Sequence, residues 1–191
     1  MPDAKDTGET RVAGTFDVHI ALASTAASAL PSSFDSALDA AFVELGYTNE
    51  DGVTFTDEPT IERKRASQSF YPVRILETAR MAKIALALLQ WNSDALRAAG
   101  GGGTVADAGT GKKFTPHAAG TILEWAIVLT VTDGSTVDRW VLPKASTVSS
   151  LETQLNRTEL SELPAEFEVI GEDGVDPWNY YTNDTTAFTD A

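Results

Sequence analysis

The sequence contains no cysteine, so neither a disulfide nor thiolate chemistry is available to the 191-residue chain. A disulfide-stapled secreted module is excluded, and a reducing compartment suits the composition. Histidine is nearly as scarce. His19 and His117 stand far apart, and no His/Asp/Glu cluster has metal-ligand spacing. Positive charge is in short supply too: 14 Lys and Arg face 28 Asp and Glu, a net charge of −14. Such an imbalance disfavours unspecific attraction to DNA or to an acidic membrane. The longest apolar-leaning run, MAKIALALLQW, falls far short of a membrane span. The opening MPDAKDTGET is too polar for a signal peptide. These features read as a soluble protein with no membrane partner.

The familiar chemical motifs are also incomplete. A P-loop needs a glycine five residues before Gly111-Lys112, where Ala106 stands, and a Ser or Thr where Lys113 stands. The run Gly100–Gly103 does not follow a strand and open a helix. NEDG and EDGVD lack the alternating oxygen ligands of a calcium loop and read as turns. With no catalytic constellation, the sequence points away from an enzyme and implies no cofactor or metal.

What the chain does have is 42% apolar residues, enough for one domain with a proper core. In RVAGTFDVHIALA, Phe16, Val18, Ile20 and Leu22 alternate as in a half-buried strand. Phe34, Leu38, Ala41, Phe42 and Leu45 fall at helical spacing after Ser32 and Asp35 and before Gly46, which predicts a helix over 34–45. Val53, Phe55 and Ile61 alternate with Thr54, Thr56, Glu58 and Glu62, and Pro59 argues for an edge or for a strand leaving its sheet. Residues 73–90 carry both signals. Ala, Leu, Met and Lys favour helix, while Ile84, Leu86 and Leu88 alternate and Val73 and Ile75 continue a strand, and strand is preferred. SDALRAAGGGG reads as a short helix stopped by glycines, and residues 100–120 as a glycine-rich loop. Asp133-Gly134, between TILEWAIVLTV and TVDRWVLP, signals a hairpin. A strand is expected through 147–158 and a last one at EFEVIG. About seven strands, one clear helix and one short one add up to a mainly β fold. It is an antiparallel β-sandwich or partial barrel with one packed helix and a long β-hairpin arm.

Positive charge is gathered in one place. Residues 61–83 hold Arg63, Lys64, Arg65, Arg74, Arg80 and Lys83 against Glu62 and Glu77, a net of +4, which leaves −18 for the rest of the chain. The window could be a solvated hairpin, a nucleic-acid patch or a docking arm. Nucleic-acid readers join basic patches to exposed aromatics or a recognition helix. Here Phe70 and Tyr71 interrupt the patch, and the remaining acidic surface repels phosphate. The acidic remainder of the same protein is the better electrostatic match.

The ordered combination of Leu45-Gly46-Tyr47, Glu50-Asp51-Gly52-Val53, Pro72-Val73-Arg74, Thr78, Arg80, Leu88-Leu89, Asn92, Leu96 and Gly100 resembles the major tail protein, or tail tube protein, of long-tailed bacteriophages with non-contractile tails. DGSTVDRWVLPKA, residues 133–145, is similar to that family's second hairpin, and Gln90-Trp91 departs from its pattern. The likeness covers roughly residues 10–172. It implies a tail tube β-sandwich domain over 11–172, with a hairpin arm over about 53–90 and a flexible loop over 100–120. A flexible N-terminal arm covers 1–10, and a C-terminal arm over 173–191 is too short for an added immunoglobulin-like domain. It implies a strand over 73–90. It also implies hexameric rings that stack into a tube, with tape-measure, distal tail and tail terminator proteins as partners. Double-stranded DNA would pass through the lumen without specific binding, and the protein itself would lie in the virion tail and, before assembly, in host cytoplasm. Arg63, Lys64, Arg65, Phe70, Tyr71, Arg74 and Arg80 are then the expected docking residues between subunits or rings. Two alternatives stay open. One is another virion β-sandwich, such as a tail terminator or decoration protein. The other is a carbohydrate-binding module using Trp178, Tyr180 and Tyr181, residues otherwise expected to clamp the C-terminal arm.

Overall fold

The computed structural model describes residues 10–26 and 29–185. The chain is mainly β, its pairings are antiparallel, and the sheets do not close into a barrel. In chain order the elements are β1 (Thr15–Leu22), a single turn α1 (Ala23–Ala26), β2 (Val43–Glu44), β3 (Thr48–Arg65), β4 (Pro72–Leu88), α2 (Ser93–Ala99), β5 (Thr104–Ala108), β6 (Gly111–Thr115), β7 (Glu124–Asp133), β8 (Thr136–Thr147), β9 (Leu163–Val169) and β10 (Asn179–Thr182). The segment 1–10 and the end of 173–191 lie largely outside the described residues. The chain divides into two compact units, residues 1–46, 124–145 and 171–191 in one, 47–123 and 146–170 in the other.

In the first unit β1 pairs with β7 along its whole length, from Thr15 opposite Thr132 to Leu22 opposite Trp125. The β7–β8 hairpin turns at Gly134–Ser135, and Gly134 takes the positive φ (60°) that the turn requires. β10 adds to β8, with Tyr180 opposite Trp140. The alternating face seen in the sequence is real: Val18, Ile20, Ile127 and Leu129 are buried. The opposite face is buried as well, because Ala21, Ala126, Val128 and Val141 pack with Phe42, and Leu30, Leu38, Ala41 and Tyr181 flank them.

The helix expected over 34–45 is absent. Leu38, Ala41 and Phe42 do cover the sheet, as their spacing implied, but on irregular backbone. Local polar groups take the bonds a helix would use. Ser33 Oγ accepts from Ser36 N (3.1 Å), and Asp39 Oδ1 accepts from Ala41 N (2.9 Å). Buried Arg139, reaching from β8, donates to the carbonyls of Ser33 (3.1 Å) and Ser36 (2.7 Å). Short Ser and Asp side chains offer the backbone such alternatives, which is why they weaken helix interiors. Burial lowers the Arg139 pKa, with Asp35 opposing. The guanidinium is held by the carbonyls of a segment that it in turn keeps non-helical.

In the second unit β4 lies between β3 and β9. Ala82, Ile84, Leu86 and Leu88 are buried on one face of β4, with Leu163, Ala165 and Phe167 from β9. Residues 73–88 are strand, as preferred. Helix propensity yields here because β4 pairs with β3 along its length and with β9 as well from Lys83 to Leu88. Among the described residues α2 is the one helix longer than a single turn. Asn92 caps it, accepting from Asp94 N (3.0 Å) and Ala95 N (2.8 Å). Buried Ala95, Ala98 and Ala99 give it an inward face.

Two further expectations change. The glycine-rich loop expected over 100–120 contains the β5–β6 hairpin, closed by a turn at Gly109 with φ 63°. Part of the glycine run is a close approach: a Cβ on Gly103 would stand 2.7 Å from Thr115 O and 2.9 Å from the Phe114 ring. The strand expected through 147–158 is not formed beyond Thr147. Asn156 Oδ1 instead accepts from Thr158 N (2.9 Å) and Glu159 N (2.7 Å), folding that stretch into a turn. Among the described residues ten strands therefore replace the roughly seven expected.

Candidate interaction arm

β9 pairs with β4 only from Leu88 back to Lys83. Beyond that point β3 and β4 continue alone, from Asp57 opposite Ala82 to Arg65 opposite Pro72. This two-stranded ribbon is about 30 Å long at ~3.3 Å per residue. A two-stranded ribbon is marginal by itself, and this one has no third layer: nearly every residue in 58–65 and 73–80 is exposed. Pro59 sits on β3, an edge strand, the place in a sheet where proline is tolerated.

The ribbon carries two irregularities that the sequence pattern conceals. Thr60 is opposite Ala79 but Ile61 is opposite Glu77, so Thr78 is an extra residue on β4. Its hydroxyl donates to Thr60 O (3.3 Å). A second extra residue, Val73, lies between the pairs Lys64–Arg74 and Arg65–Pro72. A bulge shifts the side-chain alternation beyond it. Ile75, out of phase with Ile84 in the sequence, therefore shares the face of Ile61 and Ile84. Ile61, Val73 and Ile75 are all exposed. At the tip Phe70 is 99% exposed and Tyr71 81%, well beyond what a solvated turn requires of large aromatics.

The cations divide into two groups. Those near the body are committed. Arg80 makes a two-pronged bond to Asp57 (Nε–Oδ1 2.7 Å, Nη2–Oδ2 2.9 Å), and this bond raises its pKa. Lys83 donates to Glu166 (2.9 Å), which raises its pKa in turn. Toward the tip, Lys64 pairs with Glu62 on its own strand. Arg63, Arg65 and Arg74 have no ion-pair partner among the described residues. Of the seven residues singled out in the sequence, six therefore gather in the outer ribbon, while Arg80 braces its root. Ile61 and Ile75 were missed. The bulge at Thr78 hides their shared face, and only cross-strand register reveals it.

The brace leads to a measurable expectation. In Arg80→Ala the outer ribbon opens more often, so backbone amides of 58–79 exchange severalfold faster, while those of Ile84–Leu88 and Phe167 keep the wild-type rate. Equal rates over 58–79 would show that the bond to Asp57 does not hold the arm.

Elsewhere the polar groups are largely satisfied by one another. A hollow of about 310 Å³ includes Glu124, Lys144 and Glu172 in its lining. There Lys144 is taken by Glu124 (3.1 Å) and Glu172 (3.7 Å), Glu124 chiefly raising its pKa. Trp178, Tyr180 and Tyr181 are not an exposed aromatic platform. All three are half-buried, Tyr180 packs at a 54° tilt against Trp140 with centroids 4.8 Å apart, and its hydroxyl donates to Asp138 (2.7 Å). Burial and that bond raise the Tyr180 pKa. Among the described residues no three His, Asp or Glu come together as a metal site, and no helix is long and apolar enough to cross a membrane.

The chain is antiparallel and mainly β, and its outer ribbon leaves cations and apolar side chains exposed. The chain belongs to the phage tail tube proteins: the family model of that description matches residues 3–191, nearly the whole chain. No curated protein matches it. It is accordingly a structural component of the bacteriophage tail tube.

Proposed function

We propose that the chain assembles with copies of itself into hexameric rings, and that the rings stack into the tube of a non-contractile (siphophage) tail through which the genome leaves. The observation that carries this reading is the ribbon beyond Lys83, exposed on both faces and unpartnered in one copy, in a chain of the tail tube family. An edge strand and an apolar ribbon are liabilities in a monomer; between copies they become the joint, by strand addition and side-chain packing. The contact is head-to-tail, so rotation closes it into a ring. Arg63, Lys64, Arg65, Arg74, Phe70 and Tyr71 make the contact, and Arg80 holds the arm extended. A net charge of −14 lets DNA pass without adhering. Tape-measure, distal tail and tail terminator proteins complete the structure, and host cytoplasm is where the subunit waits before assembly.

Electron microscopy of the purified chain tests the reading. Tubes or six-fold rings are expected, spontaneously or once the tail initiator is supplied. A protein that stays monomeric at high concentration with the initiator present sinks it.

A further inference from the structure

The arm has two ends, and the far one is also exposed. At the root of the sheet, Leu89 N donates to Tyr47 O (2.9 Å), bringing Tyr47 beside the end of β4. Trp91, just beyond, donates its indole N–H to Ser161 O (3.2 Å), which brings Leu160 to the same end. Tyr47 is 75% exposed and Leu160 73%, and Trp91 is exposed as well. These three large side chains share one end of the β3–β4–β9 sheet, and nothing among the described residues covers them.

Their surroundings are acidic. Asn49 Nδ2 reaches both Glu162 oxygens (3.2 Å each) and Asp51 (3.4 Å), which fastens the bulge after Thr48 against the start of β9. Gly52, with φ 75°, lets the chain turn there. Exposed Glu50 and Asp51 project from this bulge, and exposed Glu159 lies next to Leu160. Residues 47–52, 89–92 and 156–163 together hold four carboxylates and one cation, Arg157, a net of −3. Residues 61–74 at the tip hold Arg63, Lys64, Arg65 and Arg74 against Glu62, a net of +3.

We propose that this acidic, apolar root is the seat for the arm tip of a second copy of the chain. The inference rests on the assembly reading above and names the surface it uses. Phe70 and Tyr71 pack on Tyr47, Trp91 and Leu160, while the tip cations face Glu50, Asp51 and Glu159. Tip and root lie roughly 50 Å apart along β4 at ~3.3 Å per residue, so one copy cannot satisfy itself. Each copy offers one tip and one seat, which makes the contact heterologous and able to propagate. Opposite charge at the rim selects the register, and the aromatic contact supplies the desolvated centre.

The native chain has no thiol, so introduced cysteines report only on their own positions. The double variant Phe70→Cys/Leu160→Cys, treated with a short bismaleimide under assembly conditions, should give a ladder of dimers, trimers and higher species on a denaturing gel. A matched variant, Phe70→Cys/Val105→Cys, uses another exposed position and should give none above background. If the unmodified protein forms tubes but the Phe70/Leu160 pair yields no more ladder than the Phe70/Val105 pair, the seat is wrong and the tube reading stands. A specific ladder without tubes keeps the seat and removes the tube reading. Neither ladder nor tubes overturns both.

Discussion

Reversing Arg63, Lys64 and Arg65 together to Glu should leave a folded monomer that forms no tubes. All three side chains are exposed on the part of β3 that no third strand covers, so the core is untouched and thermal unfolding should stay at the wild-type temperature. Assembly should respond far more strongly. An exposed ion pair is worth only ~0–1 kcal/mol by itself, but the substitution does more than remove attraction. It turns a net +3 tip into a −3 one facing an acidic neighbour, and like-charge juxtaposition costs several kcal/mol per contact. Every ring would repeat that cost at each joint. Sedimentation velocity and electron microscopy read the outcome directly. If the triple variant forms rings and tubes as the native chain does, the cations have no docking role.

Phe167→Ala should act the opposite way, on folding rather than on assembly. Phe167 is fully buried on β9, opposite Ile84 of β4. Truncating a buried Phe costs about 3–5 kcal/mol, from lost burial and the cavity left behind. That is a large share of the ~5–15 kcal/mol that holds a typical domain together. For a chain of this size it corresponds to a fall in Tm of roughly 6–20 °C. Calorimetry of the unassembled protein measures it, and a fall of only a degree or two would mean that the β4–β9 core is not a determinant of stability. The two variants separate the roles of one sheet. Its three-stranded part folds the unit, and its two-stranded part reaches out.

Much of this was legible in the residues. Period-two alternation located β1, β4 and the β7–β8 hairpin, and the charge count located the arm. Burial was easier to read than backbone conformation. Leu38, Ala41 and Phe42 were recognised as a covering stripe, yet their helix fails because Arg139, a hundred residues away, takes the carbonyls of Ser33 and Ser36. No local window contains that information. The β5–β6 hairpin was obscured because its residues are nearly all exposed and carry little apolar alternation. Asn156 was an ordinary polar residue in the sequence, and only its bonds to the next turn show why a strand does not continue there. At the arm, composition indicated where the cations are but not which are spent within the chain. That depends on Asp57 and Glu166 lying across the strands from Arg80 and Lys83.

The two extra residues on β4 affect how the arm is aimed. Over the same stretch β4 has roughly 6–7 Å more contour than β3, at ~3.3 Å per residue. A ribbon with unequal edges bows toward the shorter one and gains twist at each bulge. The bend and twist that the bulges impose are thus built into a single copy. Thr78, whose hydroxyl ties the first bulge to Thr60 O, and Val73 at the second thus shape the arm without adding to its charge.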